Sequence, residues 1–224
     1  MTKLIFGIFA HPDDAAFGPG GSLALAARDG AEVHLICATC GGAGVNTSGH
    51  EDLSAMREAE ERRSADILGV RTCALLRYDD GKLCNEIYLE IAEKVITHIR
   101  SLVTDPSCTI TLITFDPNGI SGHTDHIVMS NVTTYIYLKL RGEFTMQLKY
   151  FCIPDSLNPS ANTGWLYMPK GRTGSEIDEI TDVRAVKEQK IAAINAHQTQ
   201  ANDAKFHLAR GDSLFDEHFL YFKD

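Results

Sequence analysis

Residues 3–14 read KLIFGIFAHPDD, an apolar, β-rich run from Lys3 to Ala10 that stops at an imidazole, a proline and two carboxylates. A run with so little polar alternation predicts a strand buried on both faces, the habit of parallel sheets. It loosely mimics the core of a signal peptide, yet it is short and no small-residue cleavage site precedes His11. The pattern from about Gly21 to Arg28 predicts a short helix stopped by Asp29-Gly30, and Ala31 to Thr39 predicts a second strand.

The alternation continues downstream. Leu53, Met56, Ala59, Ala65 and Leu68 form the apolar stripe of a helix that Gly69 ends. Arg71 to Tyr78 predicts a third strand closed by the turn Asp79-Asp80-Gly81, and Ile87, Ile91, Val95, Ile96, Ile99 and Val103 trace another helix, ended by Asp105-Pro106. Cys108 to Phe115, CTITLITF, predicts a fully buried strand followed by the loop Asp116-Pro117-Asn118-Gly119. Beyond Leu140 the periodicity weakens. Met146 to Ile153 and Phe215 to Phe222 read as strands, Asn158 to Gly174 as loop and Val183 to Ala196 as helix. The expected fold is α/β and Rossmann-like, a mostly parallel β-sheet flanked by helices on both faces in a single domain over residues 1–224.

Composition narrows the function classes. The chain has 224 residues, 44% of them hydrophobic, enough for a sizeable core and against global disorder. With 21 Lys+Arg against 30 Asp+Glu the formal charge is −9, which argues against electrostatic nucleic-acid binding. No stretch approaches the ~18 apolar residues of a membrane span, so the expectation is a cytoplasmic protein. Six irregularly spaced cysteines read as reduced, mostly buried thiols; Cys37 and Cys40 have CxxC spacing, but no second pair completes a four-thiolate site. The first strand is not followed by GxGxxG, so a dinucleotide site lacks its glycine signature.

Two polar clusters fall where open α/β sheets gather ligands, at strand carboxyl ends: His11-Pro12-Asp13-Asp14 and His123-Thr124-Asp125-His126. Two groups of His and Asp far apart in the chain, each just past an apolar strand, are better explained by convergence on a metal than by solvated surface. A catalytic zinc takes about three protein ligands and leaves one position open. His123 and His126 lie three apart, on one face of a helix beginning there, and either or both could reach the metal.

These residues resemble the LmbE-like, PIG-L family of zinc-dependent N-acetylglucosamine deacetylases. The resemblance rests on AHPDD at 10–14, Gly18, Gly20 and Gly21, the LxxxRxxE helix at 53–60, TFDPNGxxGHxDH at 114–126 and AHQTQ at 196–200, in the family's order over most of the chain. It implies that His11, Asp14 and His126 are metal ligands, with Zn2+ as the ion and Fe2+ as the second candidate. Asp13 would be the general base on a metal-activated water, His123 the acid or oxyanion stabiliser, and Asp125 the residue that orients one of the histidines. The implied reaction is hydrolysis of the N-acetyl group of a small amino-sugar substrate, in a protein that is a homo-oligomer by family habit. Two departures stand out: Ala15 and Ala16 where the family usually carries an acidic residue, and Thr124 where it often has Pro.

Three residues carry competing readings. Arg57 either contacts the distal part of the substrate, as the family suggests, or pairs with Glu60 or Glu61 on its own helix. Asp80 either binds a sugar hydroxyl or serves the backbone of its turn. His197 either neighbours the site or satisfies a helix carboxyl end. For the protein as a whole the alternatives are a deacylase of another N-acyl amine, or a catalytically silent metal- or sugar-binding module.

Overall fold

The computed structural model describes residues 2–224 apart from 47, 48, 50 and 158–168. Strand β1 (Lys3–Phe9) runs parallel between β2 (Glu32–Thr39) and β4 (Thr109–Phe115), with β3 (Thr72–Tyr78) beyond β2 and β5 (Thr145–Cys152) beyond β4. These five parallel strands are extended by β7 (Asp216–Tyr221), antiparallel to β5, and by β6 (Glu179–Asp182) on the outer edge; the sheet order is β3-β2-β1-β4-β5-β7-β6. Phe6, Ile8, Leu35, Ile36, Ile110 and Leu112 are all essentially inaccessible, as central strands covered on both faces require.

The helices are α1 (Asp14–Phe17), α2 (Gly20–Arg28), α3 (Leu53–Ile67), α4 (Tyr88–Leu102), α5 (Thr124–Leu140), α6 (Lys187–Ala196) and α7 (Ala201–Leu208). Right-handed crossovers put α2 and α3, which carry the chain from β1 through β2 to β3, on one face, and α4 and α5, which carry it back to β4 and on to β5, on the other. The packing agrees: α6 lies against α2 and α3, whereas α4 lies against α5. The chain therefore leaves β1 in one direction and β4 in the other, opening a crevice at their carboxyl ends.

The expected fold is the observed one, with differences after residue 120 and on α3, where Met56 and Ala59 of the expected apolar stripe are exposed and Arg57, Glu60, Glu61 and Ser64 are buried instead, because this helix packs against polar loops of the crevice. Helix α5 buries Asp125, Val128, Met129, Val132, Thr133, Ile136 and Leu140 at helical spacing, although its many β-branched residues weaken intrinsic helix propensity. Strand β6 and helix α7 had no clear periodic signal. The stretch expected as a helix from Val183 begins instead as a 3-10 turn, Arg184–Val186, and becomes α-helical at Lys187. Residues 158–168 of the expected loop lie outside the described residues.

A buried ion pair ties the carboxyl-terminal elements to the first corner of the chain. Lys190 on α6 and Glu217 on β7 are 1% and 2% exposed and in direct contact. The Lys190 Nζ also donates to Gly18 O at 2.7 Å, and Glu217 accepts from Gly21 N and Ser22 N, both at 2.8 Å. Removing one partner strands the other charge in the core. Lys190→Met is expected to lower unfolding free energy by about 3 kcal/mol in urea titration, with part restored in Lys190→Met/Glu217→Gln; a loss below ~1 kcal/mol would contradict this account.

Candidate metal centre

The HPDD turn leaves the end of β1 with Asp13 held at φ 97°, a left-handed conformation that non-glycine residues rarely adopt. Its surroundings over-determine it. Asp13 N donates to Glu61 Oε2 at 3.1 Å, and the Arg57 guanidinium donates to Asp13 Oδ2 at 2.9 Å, Pro12 O at 2.8 Å and Gly41 O at 2.9 Å. Both partners come from α3, whose LxxxRxxE pattern places Arg57 and Glu61 on its buried face with Glu60. Glu60 accepts from Thr199 N and Oγ1 at 2.9 and 2.6 Å, so the same face also secures the AHQTQ segment. Arg57 does not pair with Glu60 or Glu61: its guanidinium goes instead to the Pro12 and Gly41 carbonyls and the Asp13 carboxylate in the loops above β1 and β2.

The second cluster is set by α5. His123 is its N-cap, with Nδ1 accepting from Asp125 N at 3.1 Å, and Thr124 fills the first helical position. Asp125, 1% exposed, accepts from Gly81 N at 2.8 Å and Leu83 N at 3.2 Å and lies 3.3 Å from His11 Nε2. Asp80 Oδ1 approaches the same nitrogen at 3.0 Å, while its Oδ2 accepts from Ala43 N at 2.9 Å. His126 stacks on Phe115, ring centroids 4.0 Å apart, and its Nδ1 donates to Gly119 O at 3.0 Å.

The proton positions follow from these partners. A carbonyl and two carboxylates only accept, so His126 carries its proton on Nδ1 and His11 on Nε2. The nitrogens left over, His11 Nδ1 and His126 Nε2, face each other at 3.2 Å, each bearing a lone pair in the neutral ring. The Asp14 carboxylate lies beside both with different oxygens, Oδ2 at 3.5 Å from His11 Nδ1 and Oδ1 at 3.3 Å from His126 Nε2, and its Oδ2 also accepts from His11 N at 2.6 Å. Three donors at zinc bond lengths of 2.0–2.1 Å in tetrahedral array would lie about 3.3–3.4 Å apart. Two imidazoles and a carboxylate are a donor set that suits a divalent metal, the two ring nitrogens are spaced for one, and the ring orientations are fixed from behind by Asp80, Asp125 and Gly119. The ligating atoms of His11, His123 and His126 also lie within 4.8 Å of one another.

Charge is distributed unevenly around this site. Burial alone would lower the His11 pKa, but hydrogen bonds to Asp125, Asp14 and Asp80 outweigh it and hold the ring's proton well above the usual range, a sign that the site favours positive charge. Burial would raise Asp14, yet His126 and His11 keep it strongly ionised. Asp13 goes the other way: burial dominates the opposing Arg57 charge and pushes its carboxyl well up. His123 is lowered to about 4 by burial and by the neighbouring His11 and His126.

The structure thus brings together His11, Asp13, Asp14, Asp80, His123, Asp125 and His126, with Arg57 behind Asp13. Sequence reasoning passed over Glu61, whose carboxylate holds the Asp13 backbone; the charge run EAEERR at 58–63 reads as a solvated face, and only its spacing from Arg57 could have flagged it. Ala15 and Ala16 are buried in α1, so the carboxylate serving this turn comes from α3. Cys37 is buried, its thiol donating to Ala10 O and Thr39 O, and the six cysteines are all free.

A five-stranded parallel core with a candidate His/Asp metal site at its switch point is the arrangement of an α/β protein with a ligand crevice at its strand carboxyl ends. The PIG-L family model, described as GlcNAc-PI de-N-acetylase, matches residues 6–137, and the chain belongs to that LmbE-like family. A Rhodococcus jostii relative, a 1D-myo-inositol 2-acetamido-2-deoxy-alpha-D-glucopyranoside deacetylase, is 24% identical over 88% of this chain and 81% of its own. The N,N'-diacetylchitobiose deacetylase of Pyrococcus horikoshii superposes with a TM-score of 0.72 at 21% identity, over 98% of this chain and 84% of that one. The 4-carboxy-2-hydroxymuconate hydratase GalB of Pseudomonas putida shares the fold at TM-score 0.68 and 17% identity, over 100% and 97%. One fold thus hosts more than one chemistry, and the site must decide between them.

His197 ends α6 behind this centre, 1% exposed, with no hydrogen-bond partner among the described residues for either ring nitrogen and Glu61 Oε2 3.7 Å away. Burial, aided by Arg57, lowers its pKa to about 3. The folded pKa lies below the unfolded value of 6.5, so the unfolded chain takes up the proton first and stability falls as pH drops from 6.5 toward 3. Glu61, raised to about 7 by burial, acts in the opposite sense and is common to both proteins compared below. Between pH 7.5 and 5, urea unfolding of the wild type is expected to lose ~2 kcal/mol more than that of His197→Gln; equal losses would contradict a buried neutral imidazole.

Proposed function

We propose that the protein is a metal-dependent amidohydrolase that removes the N-acetyl group from a small N-acetylglucosamine-containing substrate, releasing acetate and a free amine. The observation that carries this reading is the convergence of His11 Nδ1 and His126 Nε2, 3.2 Å apart, beside the Asp14 carboxylate, a donor set suited to a divalent metal. These three residues would hold the ion, Zn2+ with Fe2+ as second candidate. When bound it supplies Lewis acidity, polarising the amide carbonyl and making water nucleophilic near neutral pH.

The chain's own groups divide the remaining work. Asp13 accepts a proton from water as its oxygen attacks the amide carbon, and its raised pKa makes it a better base than an exposed carboxylate. Arg57 holds that carboxylate in place. His123, neutral at pH 7, accepts from Asp125 N at Nδ1 and so carries its proton on Nε2, where it donates to the developing oxyanion. The C–N bond breaks as the amine nitrogen takes the proton held by Asp13. Asp80 is the residue this reading places toward the sugar; the substrate contact expected of Arg57 gives way to a positioning role, since its buried guanidinium is committed to Asp13, Pro12 O and Gly41 O.

The relatives' activities support the amino-sugar substrate class, and deacylation of another N-acyl amine is the competing reading within the same chemistry. A panel of acyl sugars against acyl amino acids separates the two. The reading takes residues 1–224 as one deacetylase domain. It also places the protein in the cytoplasm, in keeping with six free cysteines and with no described helix long and apolar enough to cross a membrane, and includes self-association as in the family.

Asp13→Asn is expected to retain zinc while amine release from N-acetylglucosamine conjugates falls at least ~100-fold, whereas His11→Ala loses both metal and turnover. Equal zinc occupancy in the two variants would contradict the assigned roles. Stoichiometric zinc in the wild type without amine release from any N-acetylglucosaminide would favour a silent binding module instead.

A further inference from the structure

Outside the centre, one buried polar connection leads back to it from a distant part of the chain. Asp116, at the end of β4, is 1% exposed and bound at both carboxylate oxygens by Arg172, whose Nε donates to Oδ2 and Nη2 to Oδ1, each at 2.7 Å. Parallel two-point contact of this kind is geometrically selective as well as strong. Arg172 is itself fixed at the backbone: its N donates to Ile153 O at 2.8 Å, and its O accepts from Asp155 N at 2.9 Å. Gly171 permits this, because a Cβ there would come within 2.5 Å of Asp155 N.

From Asp116 the connection runs along the turn. Its Oδ1 also accepts from Asn118 N at 3.0 Å, its carbonyl accepts from Gly119 N at 2.7 Å, and Asn118 Oδ1 accepts from Ile120 N at 2.8 Å. Gly119, at φ 75°, has a Cβ direction that points within 2.7 Å of Ile127 on the first turns of α5. The turn can lie this close to α5 only with glycine there, and that closeness brings Gly119 O to His126 Nδ1. The carbonyl that fixes the tautomer and rotation of His126 is therefore set by a turn folded around the carboxylate that Arg172 holds.

We propose that Arg172 is a positioning residue for His126, acting through Asp116 and the 116–119 turn to aim Nε2 at the metal. The proposal rests on His126 being a ligand. A simpler role, neutralising a buried carboxylate, would cost stability when Arg172 is removed but would leave the metal affinity of the folded protein unchanged.

The experiment measures zinc affinity by chelator competition on folded protein for wild type, Arg172→Gln, His126→Ala and Arg184→Gln. Arg184 sits in an ion-pair cluster with Asp182 of β6, Asp216 of β7 and Asp212 of the 3-10 turn before β7, at the sheet edge, and reports the effect of losing an arginine ion pair as such. Arg172→Gln is expected to weaken zinc binding tenfold to a hundredfold, and to lower kcat at saturating zinc more than it changes KM, while Arg184→Gln stays within twofold of wild type. Wild-type affinity in Arg172→Gln, or an equal loss in Arg184→Gln, overturns the positioning role. If His126→Ala binds zinc as wild type does, the ligand assignment fails and the proposal with it; if only His126→Ala is impaired, the positioning role alone is wrong. Should Arg172→Gln fail to fold, Arg172→Lys keeps the charge without the two-point contact and is judged by the same comparison.

Discussion

Two ring nitrogens turned toward each other beside a carboxylate are the constraint on which the rest of this structure depends. His11 Nδ1 and His126 Nε2 are turned toward each other because the far sides of both rings are committed to Asp80, Asp125 and Gly119, and the Asp14 carboxylate, held by His11 N, lies beside them. The carboxylates of Asp125, Asp14 and Asp80 around His11 favour positive charge there, outweighing burial and raising its pKa. A divalent ion answers the same need, competing with the ring's proton. The sheet makes the meeting possible: β1 and β4 are hydrogen-bonded neighbours, and the chain leaves them on opposite sides, so the loops above them open onto one crevice.

Around these donors, neighbouring carboxylates acquire different properties from different surroundings. Asp13 and Asp14 are adjacent in sequence, yet burial raises one while two imidazoles hold the other ionised. Under the proposed function, that separation would let a base and a ligand come from a single turn. Helix α3 stabilises the turn from below: Arg57 meets the Asp13 carboxylate, Glu61 its backbone N–H, and Glu60 the segment that follows His197. The strained backbone of Asp13 is held by this support, and the charged stripe of α3 is thus largely an internal feature.

Apolar runs such as Lys3 to Ala10 and Cys108 to Phe115 made the parallel core legible, because strands covered on both faces need continuous hydrophobicity. The two His/Asp clusters were legible for the same reason, lying just past those runs. What could not be read was set by long-range contact. Helix α5 is rich in β-branched residues, and its packing on the sheet overrides their propensity. The partners of Arg57 lie on loops over forty and sixteen positions back, beyond the reach of helical spacing rules. Glu61 resembles its solvated neighbours in sequence, and only the packing of α3 under the HPDD turn separates it from them. Strand β6 and helix α7 are short and carry no stripe, and their places are taken on the edge and flank of the finished sheet.

X-ray absorption spectroscopy of the zinc-loaded protein tests the central claim most directly, since it reports the ligand atoms without reference to turnover. Two imidazoles and a carboxylate predict a first shell of nitrogen and oxygen only, at about 2.0–2.1 Å, with the outer-ring scattering of two histidines. A sulfur at about 2.3 Å would place the ion on the cysteines, and a shell with one imidazole or none would break the link between the turn after β1 and the start of α5.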